Sequence, residues 1–348
     1  MRLQVFSMNR FSSLPAGRVL DVGLLFSLAV CVAIVLLGFW LIRFELATPP
    51  AGDPGFFYEW KLAEPDFWTR ATPWLGFMLH QVAIWLTIRH ARANYDRYSD
   101  RLRPANWWAL GINAVFILLH YAQTAFFYDG IAQDIPSWTA QYAVIVMLVF
   151  ILALENRRRG LFAGRKVKLR KEFYRWIVDN HGYVFSFAVI YTFWFHPMVN
   201  TWGHLLGFAH VMLVMLQGSL MFTRAHLNRR WTFLLEILVL PHAALVAMNQ
   251  GGGLVYMFLY GFIFIFIATQ MQGLNLKRWQ QQVFTAAFLL CVLLTYTLLR
   301  EPFQVNEVIR IPLIEYGLVF VFYGLWWLVA RATGRLNQAR AGPGARAG

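Results

Sequence analysis

Residues 22–42 read VGLLFSLAVCVAIVLLGFWLI, a run of 21 residues without a charge. As a helix rising about 1.5 Å per residue, such a run covers the roughly 30 Å hydrocarbon core of a bilayer. Arg2, Arg10 and Arg18 precede it, and it is too long for the apolar run of a signal peptide. No small-residue cleavage pattern follows where the chain continues Leu41-Ile42-Arg43-Phe44, so the segment is expected to be retained as a first span.

Working outward, similar apolar stretches predict helices at about 20–44, 71–88, 106–128, 137–155, 179–198, 202–223, 231–249, 253–272, 281–299 and 313–332. The chain is 59% hydrophobic and 14% charged, against about 25% charged in a soluble domain. The connecting loops are too short to hold a soluble domain. The predicted fold is therefore all-α, a polytopic integral membrane helical bundle of about ten transmembrane helices. Residues 1–332 form its one transmembrane domain. Residues 333–348, rich in Gly, Ala and Arg, read as a disordered cytoplasmic tail.

The net charge of +14 would raise nucleic-acid binding in a soluble protein. Here it sorts by side of the membrane. With the N-terminus inside, only Arg43, Lys61, Arg70, Arg300 and Arg310 fall outside, and 26 of the 31 Lys and Arg fall inside, most densely in 156–178. This bias predicts both termini in the cytoplasm. It leaves the lipid bilayer as the partner, with no role for nucleic acid. Compactness and the lack of targeting extensions point to a bacterial inner membrane. The outer loop 45–70, rich in Pro, Gly and aromatics, is expected to lie along the outer membrane surface. Cys31 and Cys291 lie inside apolar segments and read as packing residues.

Ionisable groups inside a bilayer are costly and raise a functional question. His80, His120, His210 and His242 come from four separate helices. Each lies about 10–14 Å below the outer end of its helix, given the rise per residue. His196 and His204 sit above them, at the outer ends of helices 5 and 6. On helix 3, Asn106, Asn113 and His120 recur every seven residues and form one polar stripe, expected to face inward. On helix 6, Gly203 and Gly207 share a face with His210 and would let a neighbouring helix or a flat ligand approach. The aromatic run Tyr191–Phe195 reads as core packing.

Neutral imidazole is a common ligand of haem and of transition metals. The leading expectation is a membrane redox protein. In it His80, His120, His210 and His242 bind haem or a Cu, Fe or Zn ion, and His196 and His204 act as further metal ligands at the outer mouth. A quinone or another lipophilic small molecule would be the reaction partner. Two other classes stay open. One is a metal-independent enzyme acting on lipid at the outer face, with His196 or His204 beside Asp129 or Asp134. The other is a transporter or a structural membrane subunit whose histidines only bond between helices. A retinal protein is excluded, because no lysine lies in a membrane helix, and P-loop, dinucleotide and CxxC motifs are absent.

Overall fold

The computed structural model describes residues 15–51, 57–136, 138–250 and 254–333. The tail beyond Thr333, the basic residues Arg2 and Arg10, and part of the outer loop lie outside the described residues. Among the described residues ten α-helices follow one another: α1 (Ala16–Leu41), α2 (Phe67–Asn94), α3 (Pro104–Phe127), α4 (Trp138–Arg158), α5 (Lys171–Phe195), α6 (Trp202–Ser219), α7 (Arg229–Gln250), α8 (Leu254–Ala268), α9 (Arg278–Leu298) and α10 (Glu307–Ala332). No strand occurs among the described residues, only isolated bridges.

Each helix falls on a predicted apolar stretch, and the largest differences lie at charged ends. α2 starts at Phe67, where Asp66 caps it by accepting the Thr69 N–H at 2.7 Å. It runs on past residue 88 through Arg89 and Arg92. α5 begins at Lys171 rather than 179. Its first turns carry Lys171, Glu172 and Arg175, which form helix readily but carry no hydropathy signal.

Seven helices among the described residues (α1, α3, α4, α7, α8, α9 and α10) are long and apolar enough to cross a membrane. α2, α5 and α6 are not among them. α2 and α6 hold His80, His204 and His210, and α5 directly precedes His196; charged residues such as Arg70, Arg89 and Arg92 on α2 and Lys171, Glu172, Arg175 and Asp179 on α5 lower the hydropathy of those two helices. Leu25, Val32, Leu36 and Phe39 on α1, Leu290 and Leu294 on α9, and Leu313, Val321 and Leu328 on α10 are exposed. Contiguous apolar surface on this scale is what lipid covers in a helical membrane bundle.

Packing divides the chain into two compact units, residues 1–144 with 182–246 and residues 145–181 with 247–348. In the first, α2 packs along α3, and α6 packs against both α1 and α3. The predicted polar stripe on α3 is buried throughout. Asn106 donates to the carbonyls of Ser219 and Met221, both at 2.8 Å, which ties the start of α3 to the end of α6. In the second unit α8 packs along α10 and α9. Several of its polar groups are paired internally: Arg300 with Glu307 at 2.7 Å, Tyr296 donating to Glu307 at 3.1 Å, and Thr269 with Tyr316 at 2.7 Å, while the buried Glu315 has one carboxylate oxygen without a partner among the described residues.

Candidate functional site

The histidines separate into two groups by what their ring nitrogens touch. His80 is fully buried and stacks on Phe116, with ring centroids 4.5 Å apart and planes 4° from parallel. Trp194 donates its indole N–H to His80 Nδ1 at 3.3 Å, so Nε2 carries the proton and donates to Asn113 Oδ1 at 2.8 Å. Asn113 passes the chain on to Ser219 Oγ at 2.9 Å, and Ser219 donates to the Met215 carbonyl at 2.8 Å. Every member of this network is satisfied, which is the condition for a buried polar chain to stabilise a core.

His120 is also fully buried, and its two nitrogens face Gln123 Oε1 and the His196 carbonyl, both at 3.0 Å. The Gln123 amide nitrogen donates to the Asp129 carbonyl at 2.7 Å, which fixes the amide orientation. Both partners of His120 are therefore acceptors, and a neutral ring can donate to only one of them. One helical turn on, Thr124 Oγ1 accepts the Met198 N–H at 3.0 Å. Together the two α3 side chains hold the extended turn that follows α5, where Pro197 prevents the helix from continuing.

That turn places His196 against His204. The ring centroids stand 4.8 Å apart with planes at 85°. Thr201 caps α6, accepting the His204 N–H at 3.3 Å while its hydroxyl meets His204 Nδ1 at 2.7 Å. The Tyr58 hydroxyl meets His196 Nδ1 at 2.9 Å. Each ring is thus held through Nδ1, and neither Nε2 has a hydrogen-bond partner among the described residues. His242 comes from α7. It lodges against α6 at Gly207, where a Cβ would stand 2.9 Å from His242 Cε1. No other residue type leaves that space. His242 Nδ1 is buried without a partner, and the ring lies within electrostatic range of His196, His204 and His210. His210 Nε2 faces the Leu235 carbonyl at 3.0 Å.

The six histidines therefore differ in which ring nitrogens the protein engages. His80 and His120 have both ring nitrogens engaged by protein, and His210 has one. His196, His204 and His242 retain free nitrogens and lie near one another. Among the described residues no three His, Cys, Asp or Glu side chains converge tightly enough to hold an ion as they stand.

Part of the outer loop, expected from sequence along the outer membrane surface, packs on the histidine pair. The backbone of Glu45 and Ala47 pairs with Ala63 and Lys61 and closes the loop into a clasp. Trp60 then sits edge-on to His204, with centroids 4.5 Å apart. Tyr58 also lines a cleft of about 210 Å³ with Phe57, Lys61, Gln133 and Phe195. The only sequence signal was the density of aromatics over residues 56–60.

Asp129 lies behind the clasp, fully buried, with neither carboxylate oxygen in a well-formed hydrogen bond. Burial, with Asp134 nearby, pushes its carboxyl up to about 7, and the Leu62 backbone and Arg70 offset only part of this. Asp134 is held elsewhere, by Arg70 at 3.4 Å and the Trp74 indole at 2.9 Å. Gly130 packs directly on the turn after α5, where a Cβ would stand 2.4 Å from the Phe195 carbonyl oxygen. Compared with known proteins, the chain matches no family model, no curated protein and no solved structure.

Proposed function

We propose that this chain is an integral membrane protein of ten spans, with both termini in the cytoplasm, that binds a transition-metal ion through His196 and His204, with His242 as the third ligand. The pair geometry carries this reading. With metal–nitrogen bonds of 2.0–2.1 Å, two imidazoles in neighbouring positions on one ion put their ring centres about 4.5–5 Å apart. His196 and His204 have that separation. Both present a free Nε2, and both are steadied at Nδ1 by a hydroxyl, the outer support that orients ligating histidines. A turn of the His242 side chain would bring a third imidazole. Haem fits this pair poorly. A porphyrin between two imidazoles holds their facing nitrogens about 4 Å apart and their ring centres farther still.

An ion held by neutral imidazoles alone suits copper, zinc or iron. With copper or iron the protein would be a membrane redox protein, and a quinone or another lipophilic molecule would be its partner. The test is metal analysis of the purified protein from cells supplied with copper, zinc and iron. We expect about one ion per chain, lost in the His196→Ala/His204→Ala double variant while the variant stays folded. Metal-free wild-type protein, or an ion retained by the double variant, would overturn the assignment.

A second reading has its own observation. Tyr58 joins His196 to the cleft beside Lys61, an arrangement that would serve a metal-independent enzyme acting on a lipid headgroup at the outer face. In that case activity on lipid would persist in protein stripped by a chelator.

A further inference from the structure

The second unit holds a buried acid that the histidine site does not use. Among the described residues three carboxylates are buried there, Glu155, Glu307 and Glu315. Glu155 is paired with Arg158 and Arg159, both at 2.7 Å. Glu307 is paired with Arg300 at 2.7 Å and accepts from the Tyr296 hydroxyl at 3.1 Å. Glu315 lies on the apolar α10, is 2% exposed, and has neither a hydrogen bond nor an ion pair among the described residues. A buried charge persists only where something pairs with it, and an ionised acid among membrane helices is costly.

Nothing around Glu315 supplies that pairing. α8 packs along α10 and brings two titratable groups, both engaged elsewhere. Arg300 lies over the Tyr256 ring at 5.2 Å, and the Tyr260 hydroxyl meets that of Thr295. On α10 itself Arg310 donates to Asn306 at 2.7 Å. Tyr316 lies in electrostatic range of Glu315 but has no proton to offer. Thr269 donates its hydroxyl to the Leu161 carbonyl at 2.8 Å, so it accepts from Tyr316 at 2.7 Å, and the Tyr316 proton is committed. A carboxylate at 315 would meet neither a cation nor a donor. A carboxylic acid needs only an acceptor.

α10 itself provides one. Pro312 lies inside the helix and has no N–H for the Val308 carbonyl one turn back, which leaves that acceptor open. Val308, Pro312 and Glu315 follow at spacings of four and three and are all buried, so they share the packed face. Helical side chains lean toward the N-terminus of their helix, which aims Glu315 at the opened turn. Glu307 stands on the same face, about 12 Å nearer the start of α10 by its rise per residue.

We infer that Glu315 is a proton-binding site within the membrane-spanning part of the second unit: its carboxyl is neutral in the fold, uses the Val308 carbonyl as acceptor, and exchanges its proton toward the Glu307 end of α10. The inference is independent of the metal site and does not require it.

The test is infrared difference spectroscopy of the full chain in detergent, wild type against Glu315→Gln, in H2O and D2O. Glutamine keeps the shape and neutrality of the acid, so the variant should match the wild type in stability. The wild type alone should show a protonated-carboxyl C=O band at neutral pH that moves in D2O and disappears at alkaline pH. Pro312→Ala restores an N–H to the Val308 carbonyl and should shift that band to higher frequency, as the acid loses its acceptor. Dicyclohexylcarbodiimide, a lipophilic reagent for protonated carboxyls, should label Glu315 and neither Glu155 nor Glu307 by peptide mapping. In that reaction the acid adds across one C=N bond, its oxygen to carbon and its proton to nitrogen. No such band, or a Glu315→Gln variant that is destabilised while the wild type lacks the band, would overturn the inference by showing an ionised acid. A band that ignores both D2O and pH would overturn it by showing a sealed acid, and one unmoved in Pro312→Ala would overturn the assigned acceptor. Sodium ions that block the labelling at constant pH would also overturn it, because the ligand would then be a metal cation.

Discussion

Replacing His80 by leucine separates a structural histidine from a ligating one. Leucine keeps apolar contact with Phe116, whose ring stacks on the imidazole at 4.5 Å. It removes the acceptor for the Trp194 indole N–H and the donor to Asn113 Oδ1. Both partners are buried, Trp194 at 1% and Asn113 at 8% exposure, so neither finds water. Each orphaned group costs about 1–3 kcal/mol, and leucine's extra apolar burial returns on the order of 1 kcal/mol. With two such groups the net loss expected is about 1–5 kcal/mol. It should be read as a lowered midpoint in an SDS titration of the detergent-solubilised protein, followed by far-UV circular dichroism. Metal content, measured on the same samples, should stay at the wild-type level. Adding Trp194→Phe to the His80→Leu background should recover part of the loss from the orphaned indole, because the unpaired donor is gone. Unchanged stability together with lost metal would refute the reasoning, because it would make His80 a ligand and the Asn113 bond incidental.

Three further outcomes follow from the site. Gly207→Ala places a methyl 2.9 Å from His242 Cε1. The helix gains about 1 kcal/mol in propensity, overpacking costs about 1–3 kcal/mol, and metal affinity by equilibrium dialysis should fall at least tenfold as His242 is displaced. Thr201→Val removes the α6 cap and the hydroxyl on His204 Nδ1, which should lower stability by about 1 kcal/mol and metal affinity by 10–100-fold. Asp129 ionises near 4 when unfolded but at about 7 in the fold. The folded state therefore binds more protons between those values, and stability falls as pH rises through that window, reaching its full loss above about 7. Asp129→Asn should abolish that slope and melt above the wild type at pH 8, by a margin with a ceiling on the order of 4 kcal/mol, and the margin should vanish below pH 4.

The helices were legible because apolar length is written locally in the chain. The stripe Asn106, Asn113, His120 was legible for a related reason, since a spacing of seven keeps residues on one face of a helix. Which histidines have both ring nitrogens engaged by protein was not. Depth along a helix fixes one coordinate of a side chain, so His80, His120, His210 and His242 looked equivalent. What separates them is the partner of each nitrogen: Asn113 and Trp194 hold both nitrogens of His80, Gln123 and the His196 carbonyl face those of His120, and Gly207 leaves a berth for His242. Asn113 and Trp194 come from other helices than His80 and leave no trace in spacing, whereas Gln123 stands one turn from His120 on α3 itself. Tyr58 and Trp60 were hidden for a different reason. They lie in an irregular loop whose course is set by a few backbone pairs, and aromatic density alone cannot separate a clasp from a surface strand. The early start of α5 escaped notice because charged residues that form helix well look like loop on a hydropathy scale.

The helices that bear the histidines also constrain how the protein is made. α2, α5 and α6 are not among the helices long and apolar enough to cross a membrane, and less apolar segments leave the translocon for lipid less readily on their own. Within the first unit, α6 packs against α1 and α3, and both of those pass that threshold. In the ten-span arrangement α6 would therefore partition into lipid only alongside partners already inserted, and His204 would reach its depth as a passenger of earlier helices. Since His242 arrives on α7, the three imidazoles would come together only after seven helices had been synthesised, and a chain stalled before that point would expose the unsatisfied face of α6 to membrane quality control.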